Sequence, residues 1–142
     1  MINGVTLTPL NIIPTPGGDI LHALKRTEKS FTEFGEAYFS EIECMKIKAW
    51  KRHKLMTLNI IVPIGKIKFV LFDSRLSHNE TKFYEIIISR DNYLRLTIPP
   101  MIWVGFQGLS QKTSLLLNVA DITHNPDEID REEINKFKYN WG

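Results

Sequence analysis

Two residues with acid–base and electrophilic chemistry stand two positions apart in the run Lys46-Ile47-Lys48-Ala49-Trp50-Lys51-Arg52-His53. Histidine takes or gives a proton near neutral pH, while lysine supplies a cation to a phosphate or polarises a carbonyl. Side chains of an extended strand alternate between its faces. With Lys46 and Lys48 outside and Ile47 and Ala49 inside, that parity puts Lys51 and His53 on the inner face. It sends Trp50 and Arg52 outward. A bulge would invert the assignment. A lysine and a histidine inside an apolar enclosure are costly to bury without partners, so Lys51 and His53 are the candidate catalytic pair. The competing reading leaves both in solvent at a frayed strand end, and the residues alone weigh the two evenly.

Further polar residues interrupt apolar runs. Thr57 and Asn59 in Met-Thr-Leu-Asn-Ile-Ile share a strand face and are candidates to line the same cavity. Asn118 and Asp121 are three apart and cannot share a face of a regular strand, so each reads as a turn or edge residue. His78 and His124 fall in polar, turn-rich surroundings and are expected exposed. Metal sites in β-barrels use His-x-His with a later carboxylate and histidine. Here that spacing reads Lys51-Arg52-His53, and no Cys/His cluster compensates, so no metal is expected. Neither a Gly-rich dinucleotide loop nor a Gly-x-Ser-x-Gly elbow is present.

The elements that must position these residues are strands. Turn signals at Pro14–Gly18, Pro63–Gly65, Ser89–Asn92, Pro99-Pro100 and His124–Pro126 cut the chain into short segments rich in β-branched and aromatic residues. Strands are predicted at Ala37–Glu43, Lys46–His53, Met56–Val62, Lys66–Asp73, Phe83–Ser89, Leu94–Ile98 and Thr113–Ile122. Their number and spacing predict an all-β sandwich or barrel and not βαβ units. Helix is predicted only as short segments near Asp19–Lys25 and in the acidic stretch after Pro126. Phe137, Tyr139 and Trp141 then read as an anchor for the tail, on the domain or on a partner subunit.

A length of 142 residues, with 43% hydrophobic and 24% charged residues, suits one globular domain, residues 1–142. No stretch is apolar enough to span a bilayer, and the N-terminus lacks the pattern of a secretory signal. The lone Cys44 cannot form an internal disulfide, so a cytoplasmic location is expected. A net charge of +2 is too small to argue for nucleic acid. The local cluster Lys46, Lys48, Lys51, Arg52, His53 and Lys54 reads first as a solvated face.

The order of segments resembles the RmlC-like cupins, the dTDP-4-dehydrorhamnose 3,5-epimerase family. The likeness runs from about Ile13 to the end. It rests on Gly17-Gly18-Asp19-Ile20, Glu36-Ala37-Tyr38-Phe39-Ser40, Ile47-Lys48-Ala49-Trp50-Lys51 and Val62-Pro63-Ile64-Gly65-Lys66-Ile67. It continues through Leu71-Phe72-Asp73-Ser74-Arg75, Ile88-Ser89-Arg90-Asp91-Asn92, Ile98-Pro99-Pro100 with Gly105-Phe106, and Asn118-Val119-Ala120-Asp121. The resemblance implies a cupin-type jelly-roll β-barrel, a homodimer, and action on nucleotide-linked 4-keto sugars without metal or organic cofactor. The implied reaction removes a proton beside the C4 ketone and returns one to the opposite face. The match departs from the family where its chemistry lies. The family's catalytic histidine falls on Lys51, its tyrosine acid on Leu117, and a second histidine on Val104 beside Trp103. An N-terminal acidic contact falls on His22, and an arginine on Lys48. Substrate contacts are accordingly expected from His22, Tyr38, Arg52, Thr57, Asn59 and Trp103.

Three readings follow. The chain is a divergent sugar-nucleotide epimerase or isomerase in which His53 or Lys51 has taken over proton transfer. Alternatively, it is a non-catalytic cupin that binds a nucleotide sugar or similar anionic ligand. Or it is an interaction protein whose Trp50 and Trp103 form a dimer or partner surface.

Overall fold

A computed structural model describes residues 1–76 and 82–142; His78 lies outside the described residues. The chain forms β1 (Thr6–Pro9), β2 (Ile12–Ile13), β3 (Ile20–Leu21), β4 (Glu36–Ile42), β5 (Ile47–His53), β6 (Leu58–Ile64), β7 (Lys66–Asp73), β8 (Phe83–Ser89), β9 (Leu94–Ile98), β10 (Ile102–Gly108), β11 (Ser114–Ala120) and β12 (Ile129–Arg131). Two five-stranded antiparallel sheets face each other, ordered β1-β9-β6-β11-β4 and β12-β5-β10-β7-β8. Neighbours in each sheet are mostly distant in sequence, as in a jelly roll. β2 and β3 make a separate two-stranded hairpin.

Period-two patterning decides what lies between the sheets. Leu58, Ile60 and Val62 of β6 meet Ile67, Phe69 and Leu71 of β7, with Leu96, Ile102 and Leu116 in the same buried cluster. Each such side chain removed from water contributes about 1.5–3 kcal/mol. The larger apolar set of β6 claims the core, so Asn59, and Thr57 just before the strand, lie on the other side. β10 was absent from the strands expected of the sequence. Pro99-Pro100 before it and Gly105 and Gly108 within it read as turn chemistry, yet β10 is central, paired with both β5 and β7.

The expected helical segments are corrected. At the N-terminal side, Ile20 and Leu21 pair with Ile13 and Ile12 across a turn containing Gly17 and Gly18, so Asp19–Lys25 forms no helix. After Pro126 a single 3₁₀ turn, Pro126–Glu128, is capped by the Asn125 side chain accepting from the Asp127 N–H. The chain then extends as β12 because Ile129, Asp130 and Arg131 pair with His53, Arg52 and Lys51 of β5. Sheet pairing outcompetes a helix too short to sustain itself.

Beyond β12 the tail crosses to the outer face of the second sheet. The Trp50 indole N–H donates to the Ile134 carbonyl at 3.0 Å. Phe137, Tyr139 and Trp141 pack around Trp50, whose ring lies 5.4–6.3 Å from theirs. Trp103 joins this cluster through Phe137 at 5.3 Å. On the first sheet, fully buried Arg95 is covered by the segment after β3: it donates to the Ala23 carbonyl at 2.8 Å and the Ser30 hydroxyl at 2.7 Å, and pairs with Glu28.

Candidate active site

A cavity of about 680 Å³ opens between the sheets. Leu58, Ile60 and Leu116 from one sheet and Ala49, Val104 and Phe106 from the other give it an apolar floor. Its polar groups are Lys48, Lys51 and His53 of β5, Tyr38 and Ser40 of β4, Asn118 of β11, and Arg131, Glu132 and Glu133 at and after β12.

β5 brings three of these to one wall. Opposite it on β10, Val104 pairs with Lys51 and Phe106 with Lys48, so two residues of β5 face the single Gly105. That bulge resets the parity between Lys48 and Lys51. Lys51 and His53 point inward as strand parity predicts, but Lys48, expected outside, also lines the cavity. Its ammonium donates to the Glu41 carbonyl at 2.7 Å and lies 5.9 Å from the Phe106 ring centre. Gly105 is what allows the strands so close: a Cβ there would stand 2.8 Å from the Ala49 Cβ and 2.9 Å from Trp141.

His53 is buried and its Nδ1 lies 2.6 Å from Oε1 of Glu128, itself 3% exposed. The second carboxylate oxygen accepts the Lys54 N–H at 2.9 Å and the Leu55 N–H at 3.3 Å. Glu128 is thereby fixed as an acceptor. Burial raises its carboxyl, but the His53 and backbone hydrogen bonds outweigh that and leave it below the ordinary value. An ionised Glu128 requires a proton on Nδ1, which leaves Nε2 as the free lone pair of the neutral ring. Burial holds His53 below its ordinary 6.5, with Lys51 and Arg131 acting in the same direction against Glu128. The arrangement is that of a general base with its orienting carboxylate.

Burial also pushes the Lys51 amine below the usual lysine value; Arg131 and Lys48 add to this, and Glu128 and Glu36 oppose it. From the opposite sheet, the Tyr38 hydroxyl accepts from the Asn118 amide at 3.1 Å. The orientation of that amide is set by the Asn59 N–H, which donates to the Asn118 Oδ1 at 3.0 Å. With its oxygen accepting, the Tyr38 hydroxyl keeps its own proton to give.

The structure brings Lys51, His53 and Tyr38 together at one cavity. It does not bring His22, Arg52, Thr57, Asn59 or Trp103 there. His22 follows β3, where its carbonyl accepts from the Tyr93 hydroxyl at 2.7 Å. Arg52 faces outward as parity predicts, bound to Asp130 at 2.6 and 2.9 Å and lying 4.7 Å from the Trp103 ring centre. The Thr57 N–H is held by Asp121 at 2.8 Å. Asn59 accepts from the Thr97 hydroxyl at 2.7 Å, and its backbone serves the site only through Asn118. Trp50 and Trp103 are covered by the chain's own tail and offer no free partner surface. His124 is exposed, as expected.

Arg131 at the cavity and Glu128 behind His53 carry roles that reading the sequence did not single out, while Lys48 was expected outside and Asn118, expected at a turn or edge, lies within β11 paired with Tyr38 and Ile60. Glu128 lay in an acidic stretch indistinguishable from a solvated helix start. Asn118 alone carried a signal, as the one polar residue inside Leu-Leu-Leu-Asn-Val-Ala. Among the described residues, no group of three or more His, Cys, Asp or Glu side chains is placed to hold a metal ion.

No family model matches the chain. The crystal structure of a dTDP sugar isomerase from Desulfovibrio desulfuricans G20 is similar at a TM-score of 0.93 and 38% identity, covering 99% of this chain and 92% of that one. The spore coat polysaccharide biosynthesis protein SpsL of Bacillus subtilis strain 168 is 26% identical, over 99% of this chain and 97% of its own length. The sugar 3,4-ketoisomerase QdtA from Thermoanaerobacterium thermosaccharolyticum, solved in complex with TDP, shares the fold at a TM-score of 0.75 and 19% identity, covering 93% of this chain and 90% of that one.

Proposed function

The chain belongs to the RmlC-like family of sugar epimerases and isomerases, and on that premise we propose that it acts on a nucleotide-linked 4-keto-deoxysugar by proton abstraction and reprotonation. The observation that carries this reading is the buried His53–Glu128 pair at 2.6 Å, with Nε2 of His53 left for a substrate proton. The C–H next to a ketone is acidic only if the carbonyl takes up the electron pair. Lys51, on the same strand face as His53, is placed to supply that sink. Tyr38 stands on the opposite wall, where a returning proton must come from if a stereocentre is to invert. His53 is the base, Lys51 the electrophile and Tyr38 the acid. The dTDP sugar isomerase likeness supports a dTDP-linked substrate.

Two alternatives are less well supported. A binder without catalysis has no need of a base oriented by a buried carboxylate. An interaction surface built on Trp50 and Trp103 is already occupied by Phe137, Tyr139 and Trp141. We read residues 1–142 as a single cupin domain. A homodimer is supported by an exposed apolar strip on the outer face of the first sheet. There Phe39, 64% exposed, pairs with Leu117, and Ala37 with Val119. No described helix is long and apolar enough to cross a membrane, and a cytoplasmic location suits the exposed free thiol of Cys44.

Solvent deuterium wash-in tests the reaction. With a dTDP-linked 4-keto-6-deoxyhexose, the protein incorporates deuterium beside the ketone, and His53→Asn slows incorporation by about 100-fold or more. Absence of incorporation across dTDP-, UDP- and GDP-linked 4-keto sugars would remove the catalytic reading. A ligand-induced rise in melting temperature without exchange would leave the binding one.

A further inference from the structure

Lys51 differs from the other cations of β5 in what holds it. Lys48 is tied to the Glu41 carbonyl and Arg52 to Asp130. Among the described residues, the Lys51 amine has neither a hydrogen bond nor an ion pair, and it lines the cavity beside Val104 and Phe106. Lys51 and His53 are two residues apart on one strand face, roughly 7 Å along the strand. The flexible lysine stem reaches across that gap, so both groups can address adjacent carbons of one sugar ring.

We propose that Lys51 is a covalent catalyst, its ε-amine joining the ketone carbon of the bound sugar as an imine while His53 moves the proton on the neighbouring carbon. The proposal rests on the 4-keto sugar reading above and specifies how the electron sink is made. Burial favours the uncharged amine, and Arg131 and Lys48 act in the same direction against Glu128 and Glu36. A neutral amine is a poor proton donor to an enolate but a good nucleophile toward a ketone.

The steps balance. The amine adds to C4, and the resulting carbinolamine takes a proton from solvent and loses its hydroxyl as water, giving a protonated imine. His53 Nε2 removes the hydrogen from the adjacent carbon. That C–H electron pair becomes a C=C bond, and the C=N π pair moves onto nitrogen as an enamine. Tyr38 returns a proton to the carbon from the opposite wall, and the protonated imine re-forms. Water then adds to C4 and the amine leaves, restoring the ketone beside an inverted centre. Solvent takes the proton from His53, returns one to Tyr38 and recovers the one released when the imine hydrolyses, and nothing is oxidised or reduced. The same route cannot exchange the ketone between C4 and C3, because the nitrogen would remain on C4 as an amine and hold the sugar on the protein. Lys51 therefore commits the site to epimerisation.

The test is reductive trapping. The full chain is incubated with a dTDP-linked 4-keto-6-deoxyhexose and sodium cyanoborohydride, digested and mapped by mass spectrometry, with deuterium wash-in followed in parallel without reductant. The expected result is an adduct on Lys51 that requires the sugar. Lys51→Arg, which puts a cation of similar reach where the nucleophilic amine stood, gives no adduct at that position and exchanges far more slowly, with its melting temperature checked against the unsubstituted protein. Exchange without a Lys51 adduct, adducts only on other lysines, or undiminished exchange in Lys51→Arg overturns the imine while leaving proton transfer intact. No exchange in the unsubstituted protein overturns both.

Discussion

At the residue scale, the site turns on how two charges are managed out of water. Glu128 is buried and ionised because His53 and two backbone N–H groups satisfy it, and its charge in turn fixes the tautomer of the imidazole. His53 binds its proton less readily in the folded state than its ordinary 6.5, chiefly through burial. Its contribution to stability is therefore fully present above 6.5 and is lost as the pH falls below it, where the unfolded chain takes up the proton first. The His53 ring resonance followed by NMR is expected to titrate below 6.5. Glu128→Gln removes a charge that favours the protonated ring, so it is expected to lower that midpoint further and to slow exchange by disorienting the base. An upward shift in Glu128→Gln would refute the assigned role. Tyr38 gives a separable result: Tyr38→Phe is expected to keep deuterium incorporation but lose formation of the inverted product, measured by NMR of the sugar.

At the element scale, β5 serves both faces of its sheet. Its inner face carries Lys48, Lys51 and His53; its outer face carries Trp50 and Arg52, held by the tail and β12. The bulge against Gly105 makes this division possible. Gly105→Ala forces a Cβ against both Ala49 and Trp141, and overpacking of this kind costs about 1–3 kcal/mol. Chemical denaturation is expected to show that loss, accompanied by slower exchange because Lys51 shifts with the strand. Trp50→Ala empties the centre of the aromatic cluster and is expected to cost about 3–5 kcal/mol in the same measurement. An unchanged midpoint in either variant would mean that the tail does not brace this wall.

At the scale of the whole molecule, the two sheets put His53 and Tyr38 on opposite sides of one cavity, the arrangement an inversion requires. The first sheet still shows an apolar outer strip around Phe39, Leu115 and Leu117 next to the edge strand β4. An isologous interface would cover it on both copies at once. Phe39→Lys is therefore expected to convert a dimer to a monomer in light scattering without lowering the intrinsic stability of the monomer; a dimer that survives would place the contact elsewhere.

Much of this was legible in the amino-acid sequence by itself. Turn signals and runs of β-branched and aromatic residues marked β4 to β9 and β11, and alternation along the extended backbone separated Lys51 and His53 from Arg52, although the parity counted from Lys48 did not carry across the bulge. Tertiary structure alone decided what depends on register between distant segments. It set Glu128 against His53 across 75 residues, turned Lys48 inward at a bulge defined by β10, and covered Trp50 and Trp103 with the tail. It also sent Thr57 and Asn59 away from the cavity they were expected to line, because Leu58, Ile60 and Val62 bury more apolar surface. Local patterning specifies the two faces of a strand; only packing against the rest of the chain decides what each face meets.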